Sequence, residues 1–84
     1  MQIVWDSPKR LWTLEKRGLD FAGLAAEFFE NAMITGARDG RFKAIGESDG
    51  QIVTVIFKPL GSEAISVISM RRSNRKERNV YGKR

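Results

Sequence analysis

The chain has 84 residues, 42% hydrophobic and 30% charged, with 15 basic and 10 acidic side chains and a net charge of +5. That length suits one domain, residues 1–84, and the composition is that of a folded globule rather than a disordered or membrane-spanning chain. Cysteine and histidine are both absent, which excludes disulfides, thiolate or imidazole metal sites, cysteine nucleophiles and Ser–His–Asp triads.

No run of about 18 apolar residues exists to cross a membrane, and Met1–Lys9 lacks the apolar stretch of a secretory signal. The expected compartment is the cytoplasm. The charge is unevenly placed. Residues 71–84 hold seven basic side chains and one acid, Glu77, whereas the first 70 hold eight basic and nine acidic ones. Such a basic terminus points to a polyanion, most often nucleic acid. The plainer reading is a solvated tail.

In chain order, Gln2–Trp5 reads as a first strand. Asp6-Ser7-Pro8 opens a helix, with Ser7 as cap and Pro8 at the first helical position. That helix runs to about Arg17 and stops at Gly18, with Leu11 and Leu14 on one face. Asp20 caps a second helix carrying Phe21, Leu24, Ala25 and Phe28 at i, i+3, i+4 and i+7. Ala32–Ala37 is a weak strand. Asp39-Gly40 is a turn and Arg41–Ile45 a strand.

Residues 46–50 read as a loop that matches neither a P-loop nor a calcium loop. Ile52–Phe57, apolar on both faces, should be a central strand. Pro59-Leu60-Gly61 turns the chain into a last strand, Ala64–Met70, with Ile65 and Val67 on one face and Ile68 and Met70 on the other. Asn74 followed by Glu77 is a capping-box pattern opening a final helix. The order β-α-α-β-β-β-α predicts an α+β domain, a mainly antiparallel sheet with helices on one face. Trp5, Trp12 and Phe57 are expected in the core.

Several stretches together resemble one family. Ile3-Val4-Trp5-Asp6, Lys9 and Leu14–Phe21 are similar to the opening of the BrnT toxins, W-D-x-x-K followed by K-H-G-[hydrophobic]-x-F. Ile68–Arg72, then Arg75–Arg78 and Tyr81, resemble the family's closing I-S-x-R-[K/R]-x-[S/T]-x-x-E-x-x-x-Y, and Ala44-Ile45-Gly46 also fits. The resemblance covers nearly the whole chain. It implies a RelE-like fold, an endoribonuclease toxin of a type II toxin–antitoxin system, and a cognate ribbon-helix-helix antitoxin through which alone the pair would touch DNA. The substrate would be RNA, ribosome-bound mRNA included. Two positions depart from the pattern: Arg17 stands where the family has histidine, and Ser66 where many relatives have arginine. Arginine cannot take over acid–base work, because it stays protonated.

Metal-free and cofactor-free RNA cleavage with this inventory leaves electrostatics to arginine. Arg71 and Arg72 are candidates to hold the scissile phosphate through guanidinium forks. Glu77 is a candidate base and Tyr81 a candidate acid, four residues apart on one helix face. Lys43 or Lys58 is a substitute if desolvated. Arg17, Lys43, Lys58, Arg75, Lys76 and Arg78 are candidate RNA contacts. Glu77 has a structural alternative as the partner of Asn74 or of an arginine, and Tyr81 as packing. Two other functions fit the same residues: a non-catalytic nucleic-acid binder, and a degenerate toxin acting through its antitoxin as co-repressor.

Overall fold

A computed structural model describes residues 1–84. Its elements are β1 (Gln2–Trp5), α1 (Ser7–Arg17), a 3-10 turn (Phe21–Gly23), α2 (Ala26–Asn31), β2 (Met33–Gly36), β3 (Phe42–Ser48), β4 (Gln51–Leu60), β5 (Ala64–Arg72) and α3 (Arg75–Gly82). The five strands form one sheet in the order β1-β5-β4-β3-β2. β1 runs parallel to β5 and every other pairing is antiparallel. The expected α+β class and mainly antiparallel sheet are what the chain forms, with one strand more than the expected order, because the weak segment after α2 does pair with β3.

The core lies on one face of this sheet. Ala44, Val53, Val55, Phe57, Ile65, Val67 and Met70 meet Leu19, Phe21, Leu24, Phe28 and Phe29 from the helical side. Phe29 stands edge-on to both Phe28 and Phe57. Gly46 in β3 is explained by this packing. A Cβ there would lie 2.9 Å from the Phe28 ring, so only glycine lets that ring sit on the strand.

Alternation along β5 is broken once. Ile56 faces Ser69 and Phe57 faces Val67, which leaves Ile68 as an extra residue. This bulge shifts the pleat by one position. Ile65, Val67 and Met70 therefore all enter the core, against the expected split of Ile65 and Val67 from Met70.

Other expectations are corrected. Asp6, not Ser7, caps α1, its carboxylate accepting from Lys9 N–H at 3.0 Å. The second helix is interrupted. Asp20 caps only a 3-10 turn and Leu24–Ala25 is extended before α2, so Ala25 is exposed while Phe21, Leu24 and Phe28 are buried. Gly23 in the middle of the pattern weakens a continuous helix. The loop at 46–50 shrinks to Asp49-Gly50, both at positive φ, between the paired Ser48 and Gln51. Pro59 and Leu60 belong to β4 rather than to a turn. β3 pairs with β4 only as far as Phe57, so the missing N–H of Pro59 costs no bond on that side. Trp12 is 51% exposed rather than in the core.

The helices do not all share one face. Glu77 of α3 bonds Lys43, Thr54 and Arg71. These residues alternate with the core residues Ala44, Val53, Val55 and Met70, so α3 lies against the face opposite α1 and α2.

Candidate functional site

The site grows from the end of β5. Strand alternation sends Arg71 to the open face and Arg72 to the core face. Ser73 N–H closes the ladder on Ile52 C=O at 3.0 Å, and the chain turns at once into α3. Asn74 accepts from Glu77 N–H at 2.8 Å, and Glu77 Oε1 accepts from Asn74 N–H at 2.9 Å. This capping box holds the Glu77 carboxylate over the sheet.

Glu77 is the hub of a buried network. Arg71 donates to both its oxygens, Nη1 at 2.7 Å and Nη2 at 2.9 Å. Thr54 Oγ1 donates at 3.1 Å and Lys43 Nζ at 3.2 Å. Thr54 shares a further hydrogen bond of 2.7 Å with Ser73. Glu77 is 6% exposed, a degree of burial a carboxylate tolerates only when paired and fully hydrogen-bonded. The Arg71 guanidinium, seconded by Asn74 N–H, Lys43 and Thr54, holds this carboxyl far below the usual carboxylate range despite the opposing effect of burial. Glu77 in turn raises Arg71 above its ordinary value.

This geometry does not suit Glu77 to the role of base. Its two oxygens already take five donors, and a carboxylate so reluctant to bind a proton cannot draw one from a ribose hydroxyl. What Glu77 does is position Arg71. Two of five guanidinium N–H groups go to the carboxylate, and the side chain stays 38% exposed.

Around the hub lies a cleft of about 220 Å³. Met33, Ile45 and Val80 form its apolar side, and Lys43, Lys76 and Asn74 its polar side. Arg75 and Lys76 stand exposed in the first turn of α3, where the helix dipole disfavours cations and favours an anion. Lys58 sits on the same open sheet face, two positions beyond Ile56, exposed opposite Ser66. Arg78 reaches back to Ser73 C=O at 2.6 Å.

Three expected site residues lie elsewhere. Tyr81 does not join Glu77. It lines a separate cleft of about 480 Å³ with Phe28, Glu27, Glu47 and Asp49, and Arg84 stacks over its ring at 4.0 Å. Arg72 bonds Gln51 Oε1 and Arg17 C=O, each at 2.7 Å. Arg17 donates to Met70 C=O at 2.9 Å and lies 5.1 Å from the Trp12 ring centroid. The reason is structural: β1 ends opposite Val67, so β5 beyond it is an open edge that Arg17 covers. Thr54 and Ser73 went unnoticed in the sequence. The available signal was a lone hydroxyl inside the apolar run Ile52–Phe57.

Comparison with known proteins bears on what such a site does. The family model described as "Ribonuclease toxin, BrnT, of type II toxin-antitoxin system" matches residues 5–77. The crystal structure of the Brucella abortus ribonuclease toxin BrnT superposes with a TM-score of 0.82 at 53% identity, covering 89% of this chain and 99% of that one. No curated protein sequence matches significantly. A family match across most of the chain, with a fold shared at that identity, has one meaning: the chain belongs to the BrnT family of ribonuclease toxins of type II toxin–antitoxin systems.

Proposed function

We propose that this toxin is a metal-independent endoribonuclease whose catalytic group is Arg71, acting in the cytoplasm and neutralised by a ribbon-helix-helix antitoxin. The observation that carries the reading is the Arg71 fork, fixed by the buried Glu77 carboxylate, which Lys43 also bonds and which lines a cleft together with Lys43 and Lys76.

The residues suit one division of labour. Lys43, Lys58, Arg75 and Lys76 draw the RNA backbone across the sheet. Nη1 of Arg71 also makes a long 3.5 Å contact to Arg72 C=O, and the N–H groups of Arg71 still free meet the non-bridging oxygens of one phosphodiester. The 2′-oxygen attacks phosphorus, losing its proton to water. The P–O5′ bond breaks, and the 5′-oxygen takes a proton from water. The products are a 2′,3′-cyclic phosphate and a 5′-hydroxyl. Negative charge grows on the phosphorane, and a preorganised donor aimed at it contributes about 3–4 kcal/mol to the transition state. Glu77 keeps that donor in place and takes no proton. Metal independence is supported by the residues: no histidine or cysteine is present, and the carboxylate beside Arg71 has no free acceptor site.

A second reading, a toxin that binds RNA and antitoxin without cutting, is favoured by the arginine at position 17 and by the commitment of Glu77. One experiment separates the two. The purified chain and its Arg71→Lys variant are incubated with RNA in chelator, and the new 3′ ends are mapped. Cyclic-phosphate ends from the native chain, lost in the variant, support the enzyme. Binding without new ends in both supports the alternative.

A further inference from the structure

Helix α1 is built the wrong way round for a helix that only packs on a sheet. Its inward residues are Arg10, Thr13 and Arg17, at i, i+3 and i+7, with Thr13 buried and the two arginines half-buried. Arg10 is tied to Asp20 at 2.7 Å, Thr13 Oγ1 donates to Lys9 C=O at 2.9 Å, and Arg17 covers the β5 edge. The large apolar side chains go outward: Leu11 is 58% exposed, Trp12 51% and Leu14 39%. Pro8, Leu11, Trp12 and Glu15 follow the i, i+3, i+4, i+7 spacing of one outer helix face. An apolar stripe left in water on a structured helix marks an interaction surface.

Charge identifies what covers it. α1 carries four cations and a single carboxylate, Glu15. Arg10 is engaged inward and Arg17 is shared between the Met70 carbonyl and the Trp12 ring, which leaves Lys9 and Lys16, seven apart and both exposed, along the Trp12 side of the stripe. The complement is a segment with an apolar ridge and an acidic flank. RNA gains nothing from Leu11 and Leu14, and the cations suited to phosphate lie on the opposite sheet face. A type II toxin has a protein partner by definition of its family.

We propose that the outward face of α1, centred on Leu11 and Trp12 and bordered by Lys9 and Lys16, docks an acidic amphipathic segment of the antitoxin. The proposal rests on the toxin reading only through the existence of that partner. Because α1 and the cleft lined by Lys43 and Glu77 lie on opposite faces of the sheet, this contact anchors the antitoxin without itself filling the cleft. Affinity and activity are therefore separable.

The test uses the full chain and its purified cognate antitoxin. Leu11→Glu removes an apolar contact and adds a like charge, at a position too exposed to disturb the fold; circular dichroism checks that. Antitoxin affinity should fall at least roughly 30-fold, while RNA cleavage stays within about two-fold of the native chain. Lys16→Glu should weaken binding by a smaller factor that shrinks in high salt. Unchanged antitoxin affinity in Leu11→Glu, or no binding of the antitoxin to the native chain, overturns the proposal. Loss of binding to a labelled 12-nucleotide oligouridine, with antitoxin binding intact, would assign the face to RNA and also overturn it. A native chain that never cuts RNA, yet binds antitoxin through Leu11, would defeat the enzyme reading and leave the docking surface standing.

Discussion

Helices α1 and α3 lie on opposite faces of the sheet, α1 beside β5 and α3 over β3, and spend their side chains in opposite directions. α3 turns a carboxylate inward and cations outward. α1 turns a threonine and two arginines inward and its leucines and tryptophan outward. Neither helix is held mainly by an apolar face. Each is held by polar groups that satisfy something the sheet leaves open: α3 answers Arg71, Lys43 and Thr54, and α1 answers the Met70 carbonyl. The comparison shows that once polar contacts do the anchoring, the outward faces are free to be specialised. One face becomes basic and suits RNA, the other apolar and suits protein.

The sharpest way to break this contrast is at Arg71. Arg71→Lys keeps the charge and loses the fork, so RNA cleavage should fall by about 10²–10³-fold. Native-like cleavage by the folded variant, read on a gel over a time course, would remove Arg71 from the site. Glu77→Gln attacks the anchor of α3. It should cost about 2–4 kcal/mol in a urea titration at neutral pH.

The pH dependence sharpens the same point. The folded-state pKa of Glu77 lies below its ordinary value of 4.5. Its contribution is therefore complete above that value and is lost as pH falls below it toward the folded pKa. The native chain should lose stability more steeply than Glu77→Gln between pH 5 and pH 3, taking roughly this interval from the ordinary carboxylate range. Parallel curves would deny the hub its role.

On the core face, Gly46→Ala should cost about 1–3 kcal/mol by pushing the Phe28 ring. RNA affinity of the folded fraction should be unaffected, since this face carries no contact with the cleft; a change in affinity would mean that the two sides are coupled. The smallest effect belongs to Lys76→Ala. It should lower the log–log salt slope of single-stranded RNA binding by about 0.7, the share of one phosphate contact. An unchanged slope would take Lys76 off the RNA path.

Much of the site was legible before the fold. The Asn74–Glu77 capping box and the opposite facing of Arg71 and Arg72 follow from local spacing, because a cap and a pleat are set by near neighbours; which of the two arginines pairs with Glu77 is decided only by the fold, which places Arg71 there. Tyr81 misled because i and i+4 place two residues on one side of a helix without saying which cleft each borders. Trp12 misled because an aromatic residue on a short helix is ordinarily core, and here the inward side was already taken by Arg10, Thr13 and Arg17. The β5 bulge left no mark in the alternation, since Ile65, Val67, Ile68 and Met70 are equally apolar.

By itself the sequence determined the class of the fold, the basic terminus, the absence of imidazole and thiol chemistry, and the capping box, all consequences of composition or of contacts within a few residues. Only the tertiary structure decided that Glu77 is a saturated anion rather than a base, that Arg17 guards a strand edge, and that α1 shows its apolar side to water. Those outcomes depend on residues 6 to 53 positions apart meeting across the sheet. A burial cost or a hydrogen-bond count is a property of that meeting, not of any segment alone.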